Sequence, residues 1–463
     1  MMDGGVAPVP PRRCHVLIVG GGASGVLMAA HLLKQPGTNF DVTIVERGDL
    51  LGCGIAYATD DPDHLLNTRV VQMSAYPDDP EHFLRWLDTR GIEAEGSSFV
   101  GRGTYGRYLA SLLDPWRDSD APGHGRLHHV RAECLRVEEI PAGVEALLQD
   151  GRVIHADRAI LATGHAVPVR PDPPLCGGWD FRPPADPRAT VVIIGTGLSM
   201  VDHVATLLSA GHLGPIHCLS RRGLLPQEHA ASHPITLTER DIPFGASVSQ
   251  VMRWLRALVR VAETQGGTWR DAVDGMRPHV AGLWQAWTVE ERARFLRHAA
   301  VWWEAHRHRM PPISTGRLSR AAAQGQLHFR RATFEQADLR PDGRIELRLT
   351  GRPGSAPDRL EADHVIDCRG IRRNTMEHVT CVLRNLLEQG AARLDLLRLG
   401  LDTSPGCHLL SLDGSMSVKL YAIGPAARGA FWEITAIPDI RQQTADLARA
   451  LGETVGATTG PRG

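Results

Sequence analysis

Two glycine-rich turns hold the chemistry most legible in this chain, and opposite charges follow them. The first, Gly20, Gly22 and Gly25, comes directly after the apolar run His15–Val19; the next apolar run, Val42–Val45, ends at Glu46, 21 residues after Gly25. The second, Gly195 and Gly197, follows Val191–Ile194, and its next run, Ile216–Leu219, leads into Ser220, Arg221 and Arg222. A strand that turns on glycine into a helix aims backbone amides at a pyrophosphate. Gly20 makes the tight turn, Gly22 admits the phosphates, and Gly25 lets the helix approach the sheet. A carboxylate at the end of the next strand bonds a ribose 2′-hydroxyl, whereas an arginine pair there favours a ribose 2′-phosphate. The expected ligands are therefore FAD at the first turn and NADPH at the second, an arrangement for moving hydride. Ser24 and Ser199 within the turns, and Arg47 beside Glu46, complete the contacts expected there. Met200 takes the third-glycine position of the second turn, which predicts a helix standing slightly farther from its strand.

The elements that must position these turns point to an α/β fold: two Rossmann-like dinucleotide-binding domains with a helical insertion, the FAD domain being discontinuous in sequence. The expected boundaries are 14–165 for the first part of the FAD domain, 186–350 for the NADPH domain and 351–455 for the second part. Short helices are predicted over 78–90 and 104–113. Two β-meanders, within Leu127–Gly164 and Leu327–Gly370, each deliver a buried strand to a glycine, and the proline-rich tract 165–188 reads as a linker. Residues of about 248–310 are helical in pattern and hold six of the ten tryptophans. These rings read either as the core of a small subdomain or as part of a substrate wall. His306 and His308 read as solvent-facing, and His229 and His233 as either facing the NADPH mouth or ordinary core or surface residues.

At 463 residues the chain can hold two or three domains, and a formal net charge of −1 gives no nucleic-acid footprint. Lys34 and Lys419 are the only lysines, so a Schiff-base mechanism has little to stand on. The eight cysteines include no C-x-x-C pair, which argues against a redox disulfide and a structural zinc; no metal is expected. The start, MMDGGVAPVPPRR, does not read as a signal peptide, and no apolar run is long enough for a membrane span, so a cytoplasmic protein is expected.

Two further segments bear on the flavin. HLLNTRVVQMSAYPDDP, 64–80, mixes apolar residues with Asn67, Gln72 and Ser74 and suits chain running beneath a flat cofactor. Leu420–Pro425 is an apolar strand ending at Gly424, before a helix expected to begin near Phe431–Glu433, with Trp432 and Glu433 at its start. Its N-terminal amides would face the electron-rich edge of the flavin.

Together GGGASG (20–25), ERGDLLGCGIAYAT (46–59), HLLNTRVVQMSAYPDDPEHFLRWL (64–87), GTGLSMVD (195–202), LSRRGLLPQEH (219–229) and GPAARGAFWEITAIPDI (424–440) resemble the two-dinucleotide-binding-domain flavoproteins, in particular bacterial FAD/NAD(P)-binding proteins. The chain is similar in plan to class B flavoprotein monooxygenases, including N-hydroxylases of amines. The resemblance implies that Asn67, with Met73 and Ser74 after it, lies beside the reactive flavin C4a position, and that Thr163 and Gly164 belong to the link before the NADPH domain. It also implies a monooxygenase that forms a C4a-(hydro)peroxyflavin with O2 and oxygenates a small molecule at nitrogen, sulfur or activated carbon. The Baeyer–Villiger fingerprint is missing, which disfavours insertion into ketones. A non-oxygenating reductase, dehydrogenase or oxidase, and a non-enzymatic cofactor-bound sensor, stand as alternatives.

Overall fold

The structure is a computed structural model and describes residues 13–36, 40–117, 126–165, 171–351, 358–370 and 379–459. The tail expected over the first ten residues lies outside these.

The strand Cys14–Val19 is apolar on both sides because both of its faces are covered, as in parallel sheets generally. It lies inside a six-stranded sheet whose spatial order is His408–Leu410, Met416–Ala422, Arg158–Leu161, Cys14–Val19, Phe40–Glu46, Arg126–Arg131. Pairing is parallel throughout except at His408–Leu410. Side chains alternate along the strand: Val16 and Ile18 pack with the helix Ala23–Lys34 and the C-terminal helix Ile437–Thr459, while Leu17 and Val19 pack with a three-stranded meander. A buried bond between His31 Nδ1 and Thr444 Oγ1, 2.9 Å, ties the two helices together.

A second, five-stranded parallel sheet repeats the plan, in the order Leu327–Arg331, Ile216–Ser220, Val191–Ile194, His364–Asp367, Cys176–Gly177. The repetition extends to single hydrogen bonds. Asp157 Oδ2 accepts from His15 N at 2.8 Å, and Asp363 Oδ2 accepts from Thr190 N at 2.7 Å. Gly20 N donates to Val45 O at 2.9 Å, and Gly195 N to Leu219 O at 2.8 Å. Each sheet carries an antiparallel meander on one face, at 134–156 and 333–362.

Four expectations are corrected here. The second sheet continues to Asp367, so the chain returns to the first sheet later than the boundary expected at 350. The proline-rich tract is more than a linker, because Cys176–Gly177 forms an edge strand of the second sheet. The two short helices are His82–Thr89 and Arg102–Ser111. A four-residue helix, Arg428–Phe431, ends where the flavin-facing helix was expected to begin; the long helix starts at Ile437.

The insertion comprises Val248–Thr264, Trp269–Met276, Val280–Ala286, Val289–His298 and Ala300–Arg307, with hydroxyl caps at Ser247, Thr268 and Thr288. Trp284, Trp287, Trp303 and Phe295 form its core, completed by Trp432 from the C-terminal part, whereas Trp302 is exposed. The two sheet domains are joined by the Arg102–Asp202 pair, 2.9 Å, and by Thr206 bonded to both Asp61 and His64. Among the described residues no helix is long and apolar enough to cross a membrane.

Candidate functional site

The first turn is closely fitted everywhere except where a pyrophosphate would lie. Gly20 has φ 105°, and a Cβ there would meet Ala162 O at 2.4 Å; one on Gly25 would meet Gly20 O at 2.0 Å. A Cβ on Gly22, in contrast, would meet nothing nearer than Gly54 Cα at 3.6 Å. Glu46 draws the turn together, accepting from Gly21 N at 2.7 Å and Gly48 N at 2.9 Å. Gly424 packs directly on Ser24, so the C-terminal strand braces the turn from behind. Thr163 Oγ1 is buried without a partner beside Gly164, which adopts φ 70°. An open cradle, a carboxylate at the ribose position and an orphaned hydroxyl at the sheet edge fit a bound dinucleotide.

The second turn has the same form. Gly195 sits at φ 116° against Cys368 O, and nothing lies within 4 Å of a Cβ on Gly197. Ser199 and Arg221 are exposed at its mouth, while Met200 is fully buried beneath it. Arg222 is differently engaged: it donates to Arg297 O at 2.9 Å and His298 O at 3.2 Å, the carbonyl end of the insertion helix Val289–His298. The structure thus separates the two arginines that the sequence joins. Arg47 is exposed next to Glu46.

A cavity of about 1050 Å³ is walled by the loop at 67–72, the loop at 229–234, the insertion and the C-terminal segment. Asn67 lines it, and His229 holds the backbone there: Asn67 O accepts from Nε2 at 2.9 Å. A carbonyl only accepts, so the proton is on Nε2, and burial keeps the imidazole neutral by pulling its pKa down to about 4. His229 thus faces the cavity, whereas His233 meets Asp271 through its backbone N. Met73 and Ser74 are buried, and Ser74 Oγ bonds Tyr76 O and Asp79 O, which shapes the loop that carries Asn67.

Two expected cofactor residues have other partners. Trp432 stacks on Trp284 in the core of the insertion, with centroids 5.1 Å apart. Glu433 lines the cavity, but its carboxylate accepts from Trp303 Nε1 at 2.6 Å and pairs with Arg307 at 3.3 Å. His308, expected to face solvent, is driven down to about 3 by burial and by Arg307, Arg277 and Arg428. The sequence reading passed over the residue between the two histidines. Arg307 is 7% exposed, lines the cavity with Arg69, Arg277, Arg309 and Arg441, and has its pKa lowered to about 10 by burial and by Arg277. A lone arginine within a helical period carries no signal in sequence. Asp439 stands opposite, 3.5 Å from Arg277 and 3.7 Å from Arg307, its pKa raised by burial. Among the described residues no cluster of His, Cys, Asp and Glu is placed to hold a metal.

Residues 17–166 match a family model described as FAD-NAD(P)-binding. No curated protein matches the chain by sequence. Solved structures match over nearly the whole chain. The ornithine N-hydroxylase of Kutzneria sp. 744 is 12% identical with a TM-score of 0.64, covering 97% of this chain and 100% of its own. The L-lysine 6-monooxygenase of Pseudomonas syringae is 14% identical with a TM-score of 0.59, covering 96% and 99%. The bacillithiol disulfide reductase of Staphylococcus aureus is 13% identical with a TM-score of 0.55, also covering 96% and 99%. At these identities the likeness establishes the shared fold.

Proposed function

We propose that this chain, whose residues 17–166 match a family model described as FAD-NAD(P)-binding, is an NADPH-consuming, FAD-dependent monooxygenase acting on a small organic molecule. The observation that carries this reading is the cavity walled jointly by the loops at 67–72 and 229–234, the insertion and the C-terminal segment, which Asn67 lines. Disulfide reduction is disfavoured there. It needs paired thiols, whereas among the described residues Cys407 is the one cysteine in the lining, and burial pushes its thiol up to about 12.

Bound FAD supplies hydride acceptance and the activation of dioxygen. The protein's own part is placement. Gly20, Gly22 and Glu46 hold the first dinucleotide, and Gly195, Gly197 and Arg221 the second. His229 fixes the Asn67 backbone, and no side-chain hydrogen bond ties the Asn67 amide to the protein among the described residues, so it is free to bond a ligand. The Phe99 ring packs against His229 with centroids 4.9 Å apart, which helps to fix that imidazole.

Labelled O2 tests the reading: a substrate that accelerates NADPH oxidation should appear in product with one labelled oxygen atom. Stimulated NADPH oxidation with unlabelled product would replace it with a reductase. Asn67→Ala should leave the rate of flavin reduction within about twofold but divert consumed oxygen to hydrogen peroxide. Unchanged coupling would make Asn67 a structural residue.

A further inference from the structure

We propose that Asp61, Asp63, His64 and Arg102 form a polar latch that sets where the second dinucleotide turn stands against the first, and so act as positioning residues for hydride transfer. The inference deepens the reading above and rests on it only in taking NADPH and FAD as the reacting pair; oxygen chemistry has no part in it.

The latch closes on one face of one helix. Gly197 is the N-cap of Leu198–Ser209, so this helix carries the second turn at its start. Met200, Val201, Val204 and Leu207 pack into the core beneath the second sheet. Asp202, Thr206 and Ser209, at i, i+4 and i+7, share another face, and each has a partner in the FAD domain. Asp202 pairs with Arg102 at 2.9 Å, and Thr206 Oγ1 donates to Asp61 Oδ2 at 2.5 Å. Ser209 donates to one carboxylate oxygen of Asp63, and Arg317 of the helix Pro312–Ala323 donates to the other. A hydroxyl has one proton, and that of Thr206 goes to Asp61. The 2.9 Å contact between Thr206 Oγ1 and His64 Nε2 is therefore donated by the imidazole.

The FAD-domain half of the latch is a single block. Asp63 N donates to Asp61 Oδ1 at 2.9 Å, and His64 Nδ1 bonds Thr59 Oγ1 at 2.8 Å. Arg102 ties the loop to its own helix, donating from N to His64 O at 2.8 Å and from Nε to Leu65 O at 3.1 Å. A Cβ on Gly103 would meet Thr59 O at 2.4 Å, so helix and loop are in direct contact. Apolar packing does not do the same work. Among the described residues no hydrophobic cluster takes side chains from both dinucleotide sheets. The relation between the turns is thus left to directional bonds, which hold one geometry.

Hydride transfer carries two electrons and one proton from the nicotinamide to the flavin, leaving NADP⁺ and reduced FAD. It needs reacting atoms about 3–3.5 Å apart, and a misplacement of about 1 Å can cost on the order of 10²-fold. A helix freed on the face of Asp202, Thr206 and Ser209 would shift the turn it carries while the turn itself stays intact. Rate should suffer, and affinity should not.

Anaerobic stopped-flow reduction of the FAD-loaded protein by NADPH, calorimetric titration with NADP⁺, and hydrogen–deuterium exchange without nicotinamide test this together. In Thr206→Val, the reduction rate constant at saturating NADPH should fall at least tenfold, with NADP⁺ affinity held within twofold. Amides of 59–65 should exchange at least tenfold faster. Thr206→Ser, which keeps the hydroxyl, should restore both rate and protection. Asp63→Asn provides a second variant, with the same expected loss, should Thr206→Val fail to retain flavin. Reduction within twofold of the wild type in both variants overturns the latch, as does unchanged exchange in Thr206→Val. A loss of rate explained by weaker NADP⁺ binding also overturns it. A wild type that NADPH does not reduce overturns the reading above and this role with it, whereas a wild type that is reduced no faster than its variants overturns the latch alone.

Discussion

Arg221 and Arg222 should divide the work that their sequence suggests they share. Arg221 is exposed at the mouth of the second turn, one residue beyond the end of the strand Ile216–Ser220. Arg222 is turned towards the insertion and donates to the last carbonyls of the helix Val289–His298, where a cation also complements the helix dipole. A charge-assisted phosphate contact contributes about 1.5–3 kcal/mol, and exposure puts Arg221 at the lower end, roughly a tenfold preference for NADPH over NADH. To take the phosphate, Arg222 would first have to release two backbone acceptors. Arg221→Ala should therefore remove most of the cofactor preference, seen as kcat/KM for NADPH falling about tenfold while that for NADH holds. Arg222→Ala should leave the ratio within about twofold and instead destabilise the insertion by about 1–2 kcal/mol, read from urea denaturation followed by tryptophan fluorescence. Six tryptophans lie in that insertion, so the signal reports on the right element. The opposite pattern, with preference lost on Arg222→Ala and kept on Arg221→Ala, would refute the assignment.

Further outcomes follow from the same geometry. Gly22→Ala makes only an ordinary contact with Gly54 Cα at 3.6 Å and should leave apoprotein stability unchanged while weakening FAD binding; Gly25→Ala drives a Cβ into Gly20 O and should cost at least the roughly 1–3 kcal/mol typical of overpacking, both read from thermal unfolding and flavin retention. Asp274→Asn leaves the guanidinium of Arg309, 3% exposed, without its anion, and should cost about 3–5 kcal/mol in urea denaturation. His31 and His203 are both buried, and burial brings each to about 4 from an ordinary 6.5. Both are therefore neutral when folded and take up protons on unfolding, so their stabilisation is present above pH 6.5 and is lost as pH falls from 6.5 through 4. Each contributes on the order of 3 kcal/mol to that slope, to be checked by comparing urea midpoints at pH 7.5 and 5 in the wild type and in His203→Asn.

Both dinucleotide turns, the charges after them, the two meanders and the tryptophan-rich insertion were legible from sequence because each rests on local rules. Only glycine tolerates φ 105° at Gly20 pressed against Ala162 O, and only glycine lets Gly25 sit on Gly20 O, so backbone sterics write these positions into the residue type. Burial on both faces likewise writes Val191–Ile194 as an unbroken apolar run. The edge strand Cys176–Gly177 left no such mark: two residues have no period, and their place beside His364–Asp367 comes from the chain far downstream. The direction of Arg222, the pairing of Glu433 with Trp303 and Arg307, and the seat of Trp432 in the insertion were hidden for a related reason. Each depends on which distant segment reaches the side chain first, and Trp303 and Glu433 are separated by 130 residues. The sequence alone marked two glycine turns of the form that cradles a dinucleotide, and the backbone that makes them. The tertiary structure alone decided the cavity, because its walls are side chains drawn from four segments remote from one another in sequence.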